Sequence, residues 1–168
     1  LVGSGAGEPL GLLALQAPGV LDNKDIRVTN SGVANTISAD GVLRMLYSLP
    51  AQYRRAPGFA VACNKDTLTV LRLLKDGSGR YLFNPDDYTI DGYPLAESEH
   101  MPGIAADAYP IVCGDFAGYG IVDRIDLAIV AWDDSTTAAV DQIWFDARSR
   151  LGGQPVEGYR FAALKCAV

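Results

Sequence analysis

Four groups of residues have the types and spacing that chemistry requires. Gly3-Ser4-Gly5-Ala6-Gly7 has the glycine density of a loop that cradles phosphate on backbone N–H groups, and Ser4 between glycines has the setting of a nucleophile. Asp86-Asp87 and Asp133-Asp134 are adjacent carboxylates, able to share a proton or hold a hard cation. His100 is the single histidine and so the single imidazole base. Arg148 and Arg150 stand two apart, which on a strand puts both guanidinium groups on one face, where they can pair with acids across a subunit boundary or stay in water.

Each group also has a plainer account. A dinucleotide fingerprint needs a strand before it, a helix after it and a third glycine where Glu8 stands, and a carboxylate there repels phosphate. A flexible connector suits the stretch better. The wider G-x-S-x-G pattern around Ser4 is absent, and His100 lies in the polar turn Glu97-Ser98-Glu99-His100-Met101-Pro102, as a surface histidine would. Neither aspartate pair sits in a calcium-loop pattern, and turn residues flank both, as in solvated loops. No catalytic residue, cofactor site or metal site is therefore assigned, and a structural or binding role is favoured over an enzyme. A small hydrolase using Ser4 or the aspartate pairs is the alternative of another class. It predicts a concave pocket with convergent polar groups and a shifted pKa.

The elements that must position these residues are short. The chain has 168 residues, 49% of them hydrophobic, which is enough for a core without disulfides or metals. Residues 10–15 form an apolar run of strand length, broken by Pro18-Gly19; Ile26 and Val28 alternate with polar neighbours. Ser38 caps a helix with Val42, Leu43, Leu46 and Leu49 on one face, ended by Pro50. Residues 59–63 read as a buried strand, Asn64 as an N-cap, and residues 65–75 as a helix burying Leu68, Leu71 and Leu74. Strands are expected over 80–83, 93–97, 109–114, 119–122 and 126–132. Beyond a boundary at Asp133-Asp134, two long strands are expected over 142–150 and 159–167, separated by a turn at Gly152-Gly153. The class is α+β, a small mixed sheet flanked by helices with long peripheral strands.

Charge and cysteine content narrow the partners. The formal net charge is −6 and the isoelectric point about 4.6, with no basic run longer than Arg54-Arg55, so tight direct nucleic-acid binding is not expected. No apolar run is long enough to cross a bilayer as a helix, no secretory signal is visible, and no membrane partner is expected. Cys63, Cys113 and Cys166 are an odd number, far apart and each in an apolar stretch, which reads as buried free thiols.

An ordered series of motifs carries a family resemblance. LVGSGAGEPLGLL at 1–13, LRLLKDGSGRYLF at 71–83, Gly92-Tyr93-Pro94-Leu95, Met101-Pro102, Gly114-Asp115-Phe116, and Tyr119-Gly120-Ile121-Val122-Asp123-Arg124 follow one another, and a double glycine precedes the last strand within 147–164. In that order and at those spacings the chain resembles the C-terminal half of tailed-bacteriophage major capsid proteins of the Hong Kong ninety-seven type.

The resemblance implies a truncated Hong Kong ninety-seven-like phage capsid fold. Residues 11–133 would form an axial domain whose loops meet at five-fold and six-fold axes; residues 1–10 and 134–168 would be a remnant of the peripheral domain. It implies a structural subunit of a phage or prophage icosahedral head shell, forming pentamers and hexamers around packaged DNA, assembled in the bacterial cytoplasm and located in the virion. Its partner would be itself, with scaffold, portal or decoration proteins as further partners. An encapsulin-type bacterial compartment is the alternative within the fold. Expected contact residues are Asp86, Asp87, Tyr88 and Glu99 on axial loops and Arg148, Arg150 and Tyr159 at the periphery. Family members carry an arm, a β-hairpin loop and a spine helix upstream of the glycine-rich stretch, and none is expected here, since the longest helix placed is about three turns. Some members also join subunits by a Lys–Asn isopeptide bond; its Asn would fall near Asp141, so no covalent cross-link is expected. These 168 residues alone are expected to fold yet remain monomeric or form small oligomers.

Overall fold

A computed structural model describes residues 3–16, 26–75, 78–81, 83, 88–132 and 143–168. Its centre is a six-stranded mixed sheet of β1 (Arg27–Asn30), β2 (Phe59–Cys63), β3 (Thr89–Ile90), β4 (Tyr93–Glu97), β5 (Ile111–Asp115) and, from the end of the chain, β8 (Phe161–Lys165). The order is β1-β8-β5-β2-β4-β3. The β1–β8 and β2–β4 pairs are parallel and the other three antiparallel. Every residue of β5 is buried, as a central strand covered on both faces must be.

Two helices cover one face, and local sequence explains both. Helix α1 (Ala39–Ser48) starts at Ser38, whose Oγ accepts from the Gly41 N–H at 3.0 Å, and ends before Pro50. It buries Val42, Met45 and Leu46 against Phe59, Val61, Cys113 and Leu164 of the sheet. Leu43, expected on the inner face, points outward instead, and Met45 takes its place because it lies three residues from Val42 along the inward stripe. A four-residue helix, α2 (Ala51–Arg54), follows. Helix α3 (Lys65–Leu73) starts at Asn64, whose Oδ1 accepts from the Thr67 N–H at 2.8 Å, while its Nδ2 donates to the Met101 carbonyl. The tight turn between β3 and β4 places Asp91 and Gly92 at φ 51° and 79°, as a two-residue hairpin turn requires. The Tyr47 hydroxyl donates to Asp91 at 2.8 Å and ties that turn to α1.

The second face is covered by a smaller apolar cluster, Leu12, Ile26, Met101, Val112, Phe161 and Ala163. Leu12 lies in a one-turn 3₁₀ helix, Leu12–Gln16, where a buried strand was expected; the run packs over the sheet instead of joining it. Residues 80–83 form no strand among the described residues, only a bridge between Lys75 and Tyr81.

Two long strands stand apart from the sheet. β6 (Tyr119–Trp132) joins in one strand the two segments expected at 119–122 and 126–132, and pairs antiparallel with β7 (Trp144–Pro155) as a two-stranded ribbon. Gly152-Gly153, expected to be a turn, lies inside β7 opposite Val122 and Ile121. Strand pairing divides the chain differently from the expected split at residue 133: β6 belongs to the ribbon, while β8 is central in the sheet. The Asp133-Asp134 pair and Asp141 lie outside the described residues. No described helix is long and apolar enough to cross a membrane.

Candidate functional site

The ribbon is the part of the molecule whose chemistry the core does not consume. Residues directly paired in an antiparallel ladder share a face. Ile129 with Ala147 and Ala131 with Phe145 therefore form one face, and Ala128 with Arg148 and Val130 with Asp146 form the other. The first face is apolar and open: Phe145 is 70% exposed and Ile129 62%. Leu127, at 66%, and Trp144, at 66%, are equally exposed. A two-stranded ribbon is at best marginal in water, so apolar residues exposed along it mark a contact surface. On the second face Arg148 Nε donates to Asp146 Oδ2 at 2.7 Å. Arg150 lies opposite Ile125 and is exposed.

A bonded joint fixes the ribbon to the sheet where the chain passes between them. The chain leaves the sheet after β5 and returns into β8, and these two strands are neighbours through the Gly114–Phe161 pair. Asp115 caps a one-turn helix, Phe116–Gly118, by accepting from the Ala117 N–H at 3.2 Å. Its other oxygen accepts from Arg160 Nη1 at 3.1 Å. Arg160 Nε donates to Glu157 Oε2, and its guanidinium lies 5.4 Å from the Tyr53 ring centroid. Hydrogen bonding to Arg160 lowers the Glu157 pKa. The Val156 N–H donates to the Gly118 carbonyl at 2.9 Å, closing the joint from the ribbon side.

The glycine-rich strip straps the base of the ribbon. The Leu10 N–H donates to the Gly153 carbonyl at 2.8 Å, and the Tyr119 hydroxyl donates to the Leu10 carbonyl at 2.8 Å. Within the strip, Glu8 Oε1 accepts from the Ser4 N–H at 2.7 Å and the Ser4 hydroxyl at 2.8 Å, and these bonds hold the carboxyl below its usual range. The strip is thus organised around an anion, which opposes phosphate binding. Open grooves of 620 and 630 Å³ lie beside it, and neither is lined by a histidine. The Ser4 hydroxyl donates to Glu8, within the same strip, and no imidazole stands beside it.

The expected contact residues fall in different places. Asp86 and Asp87 lie outside the described residues. Tyr88 is exposed beside β3, with the Arg72 guanidinium 4.8 Å from its ring centroid. Glu99 is exposed in the turn after β4, at the end of the sheet away from Asp115, since Glu97 pairs with Cys63 and Asp115 with Phe59. Arg148 and Arg150 share β7. Tyr159 sits at the joint, its ring 5.7 Å from that of Tyr53, and its hydroxyl is pushed up to about 12 by desolvation and by hydrogen bonds to Glu157 and Tyr53. Sequence reasoning gave no role to Asp115, Arg160, Glu157 or Asp146. The nearest signal was Gly114-Asp115-Phe116, quoted as a motif without a function.

The architecture, a mixed sheet with flanking helices and an outlying ribbon, is that of Hong Kong ninety-seven-type phage capsid proteins. The phage capsid family matches residues 1–166, and the chain belongs to that family. Two solved structures are similar in sequence as well as fold. The "Capsid of empty GTA particle computed with C5 symmetry" is 31% identical with a TM-score of 0.82, over 98% of this chain and 58% of that one. The "Capsid of native GTA particle computed with C5 symmetry" is 30% identical with a TM-score of 0.85, over 100% and 59%. Gordonia phage Cozz shares the fold at 16% identity and a TM-score of 0.57, over 99% of this chain and 56% of that one. The chain thus spans less than two thirds of the length of the capsid chains it resembles. Among curated proteins no match is found.

Proposed function

We propose that this chain forms part of the shell subunit of a phage or prophage icosahedral head, acting by repeated self-association into pentamers and hexamers around packaged DNA and not by catalysis. The observation that carries the reading is the ribbon: some dozen residues of strand pair that expose apolar side chains, held through the joint and the glycine-rich strip to a sheet with its own closed core. A subunit that repeats around a shell can bury such a projection against its neighbours. The likeness to the two GTA capsids supports this reading.

In this reading the six-stranded sheet and its helices form the axial domain, and the ribbon with the strip forms the peripheral one. Tyr88, Glu99, Asp86 and Asp87 would face neighbours near the symmetry axes; Arg148, Arg150 and Tyr159 would serve the periphery. Assembly would take place in the bacterial cytoplasm, and scaffold or portal proteins would be further partners.

The test is assembly of the full-length gene product, followed by velocity sedimentation and negative-stain electron microscopy. Closed particles are expected from the wild type, and fewer or none from the double variant Arg148→Ala, Arg150→Ala. A wild-type protein that stays monomeric at high concentration, or shells unchanged by the double variant, would count against the role of the chain or of the arginines respectively.

A further inference from the structure

The outer edge of β7 is an unpaired strand with a definite chemical pattern. Both register shifts in the ribbon, between Asp123 and Ile125 and between Ile125 and Ala128, insert their extra residue in β6, so β7 itself runs unbroken. No strand is paired to its far side among the described residues. The Gly153 carbonyl bonds to Leu10 and so points away from β6. Backbone groups alternate sides along a strand, which turns those of Leu151, Ser149, Ala147 and Phe145 outward too. From Phe145 to Gly153 the outward positions are small or apolar and none is a proline, Pro155 being the last residue of the strand, so nothing blunts this stretch against pairing.

We propose that β7 pairs antiparallel with β7 of a second copy of this chain, about a two-fold axis at Ala147, joining two ribbons into one four-stranded sheet. The proposal rests on the shell-subunit reading and names one of its contacts. Charge selects the register. With the axis at Ala147, Asp146 of each copy faces Arg148 of the other, and the two intrachain Asp146–Arg148 pairs join into one alternating square of charge. Trp144 then faces Arg150, an arrangement suited to cation–π contact, and Phe145 faces Ser149. Moving the axis to Ser149 sets Arg148 against Arg150; moving it to Asp146 or Arg148 sets like charges against each other. Ala147 has its backbone groups outward, so it forms a hydrogen-bonded pair with its own copy, with a Cα separation of about 5.5 Å. The product has the three or more strands that an independent sheet needs.

The experiment is a cysteine cross-link in the full-length gene product. The native Cys63, Cys113 and Cys166 are buried, so the thiol of Ala147→Cys is accessible where theirs are not. Under copper-phenanthroline oxidation Ala147→Cys should give a disulfide-linked dimer on a non-reducing gel, because the separation at the axis lies within disulfide range. Ser149→Cys alone should give none, since its thiols lie four residues apart along the paired strands, and Phe145→Cys with Ser149→Cys should link.

Adding Arg148→Asp to Ala147→Cys should lower the dimer yield at least tenfold, and the swap Asp146→Arg, Arg148→Asp should restore it, an outcome a folding defect would not give. Yield is read in soluble and assembled fractions separately. Shells without the Ala147→Cys link overturn the pairing and leave the shell reading standing; a link in soluble dimers that never form shells does the reverse. A link through Ser149→Cys alone, or an Ala147→Cys thiol closed to a small maleimide in the monomer, also overturns the pairing.

Discussion

Arg160 donates from Nη1 to Oδ2 of Asp115 at 3.1 Å, joining the residue that ends β5 to the residue that precedes β8. Asp115 is 4% exposed, and its other oxygen is already used to cap Phe116–Gly118. One carboxylate therefore fixes both passages of the chain between sheet and ribbon.

Asp115→Ala removes two bonds to a buried carboxylate, and hydrogen bonds to charged groups contribute about 1.5–3 kcal/mol each, so unfolding in urea should occur with a free energy lower by at least ~2 kcal/mol. Arg160→Ala should lower the urea midpoint and Arg160→Lys should recover only part of it, because a lysine cannot reach Asp115 and Glu157 together. Equal midpoints for all three variants and the wild type would show that the joint carries no stability.

Gly114 has no room for a side chain. A Cβ there would lie 2.5 Å from Phe161 Cδ1 and 2.6 Å from the Arg160 carbonyl oxygen. Gly114→Ala should lower stability by about 1–3 kcal/mol, the usual cost of overpacking. The double variant Gly114→Ala, Phe161→Leu should recover part of that loss in the same urea titration, if the Phe161 ring is what the methyl meets.

Burial pushes the thiols of Cys63 and Cys113 up to about 12 from an ordinary value of 9.0. A thiolate-directed reagent at pH 8 should therefore label neither in the folded protein and both in 6 M guanidinium. The shift also predicts the alkaline behaviour. The folded state holds the thiol protons more tightly, so the stability this confers is intact below pH 9 and is lost as pH rises toward 12, at about 1.4 kcal/mol per pH unit for each thiol. Rapid labelling of Cys113 at pH 8 would contradict the packing of β5 between β2 and β8.

Local signals were legible in the sequence where a side chain acts on its own backbone. Ser38 and Asn64 cap α1 and α3 because each stands before a helical stripe of apolar residues, and β2 shows as five consecutive apolar residues. Readings failed where a distant partner decides the outcome. Residues 10–15 have the composition of a strand, but Leu12 packs into the second cluster over the face of the sheet instead of pairing in it. Gly152-Gly153 has the composition of a turn, yet the ladder to Val122 and Ile121 holds it extended. The joint was illegible for the same reason, since Asp115 and Arg160 are 45 positions apart. In the ribbon, Arg148 and Arg150 were visible as a pair of charges, but the adjacent Trp144 and Phe145 put an aromatic on each face, and composition alone does not tell such a strand as exposed from one that is buried.

The central claim is that this chain repeats in a closed shell, with the sheet toward the symmetry axes and the ribbon toward neighbouring subunits. A cryo-electron microscopy reconstruction of particles assembled from the full-length gene product tests it most directly. The account predicts icosahedral density into which the described fold docks as a unit, Glu99 nearer the five-fold and six-fold axes than Asp115, and the apolar face of β6 and β7 covered. Particles of that protein in which the ribbon stands free in solvent, or the absence of any closed particle, would contradict it.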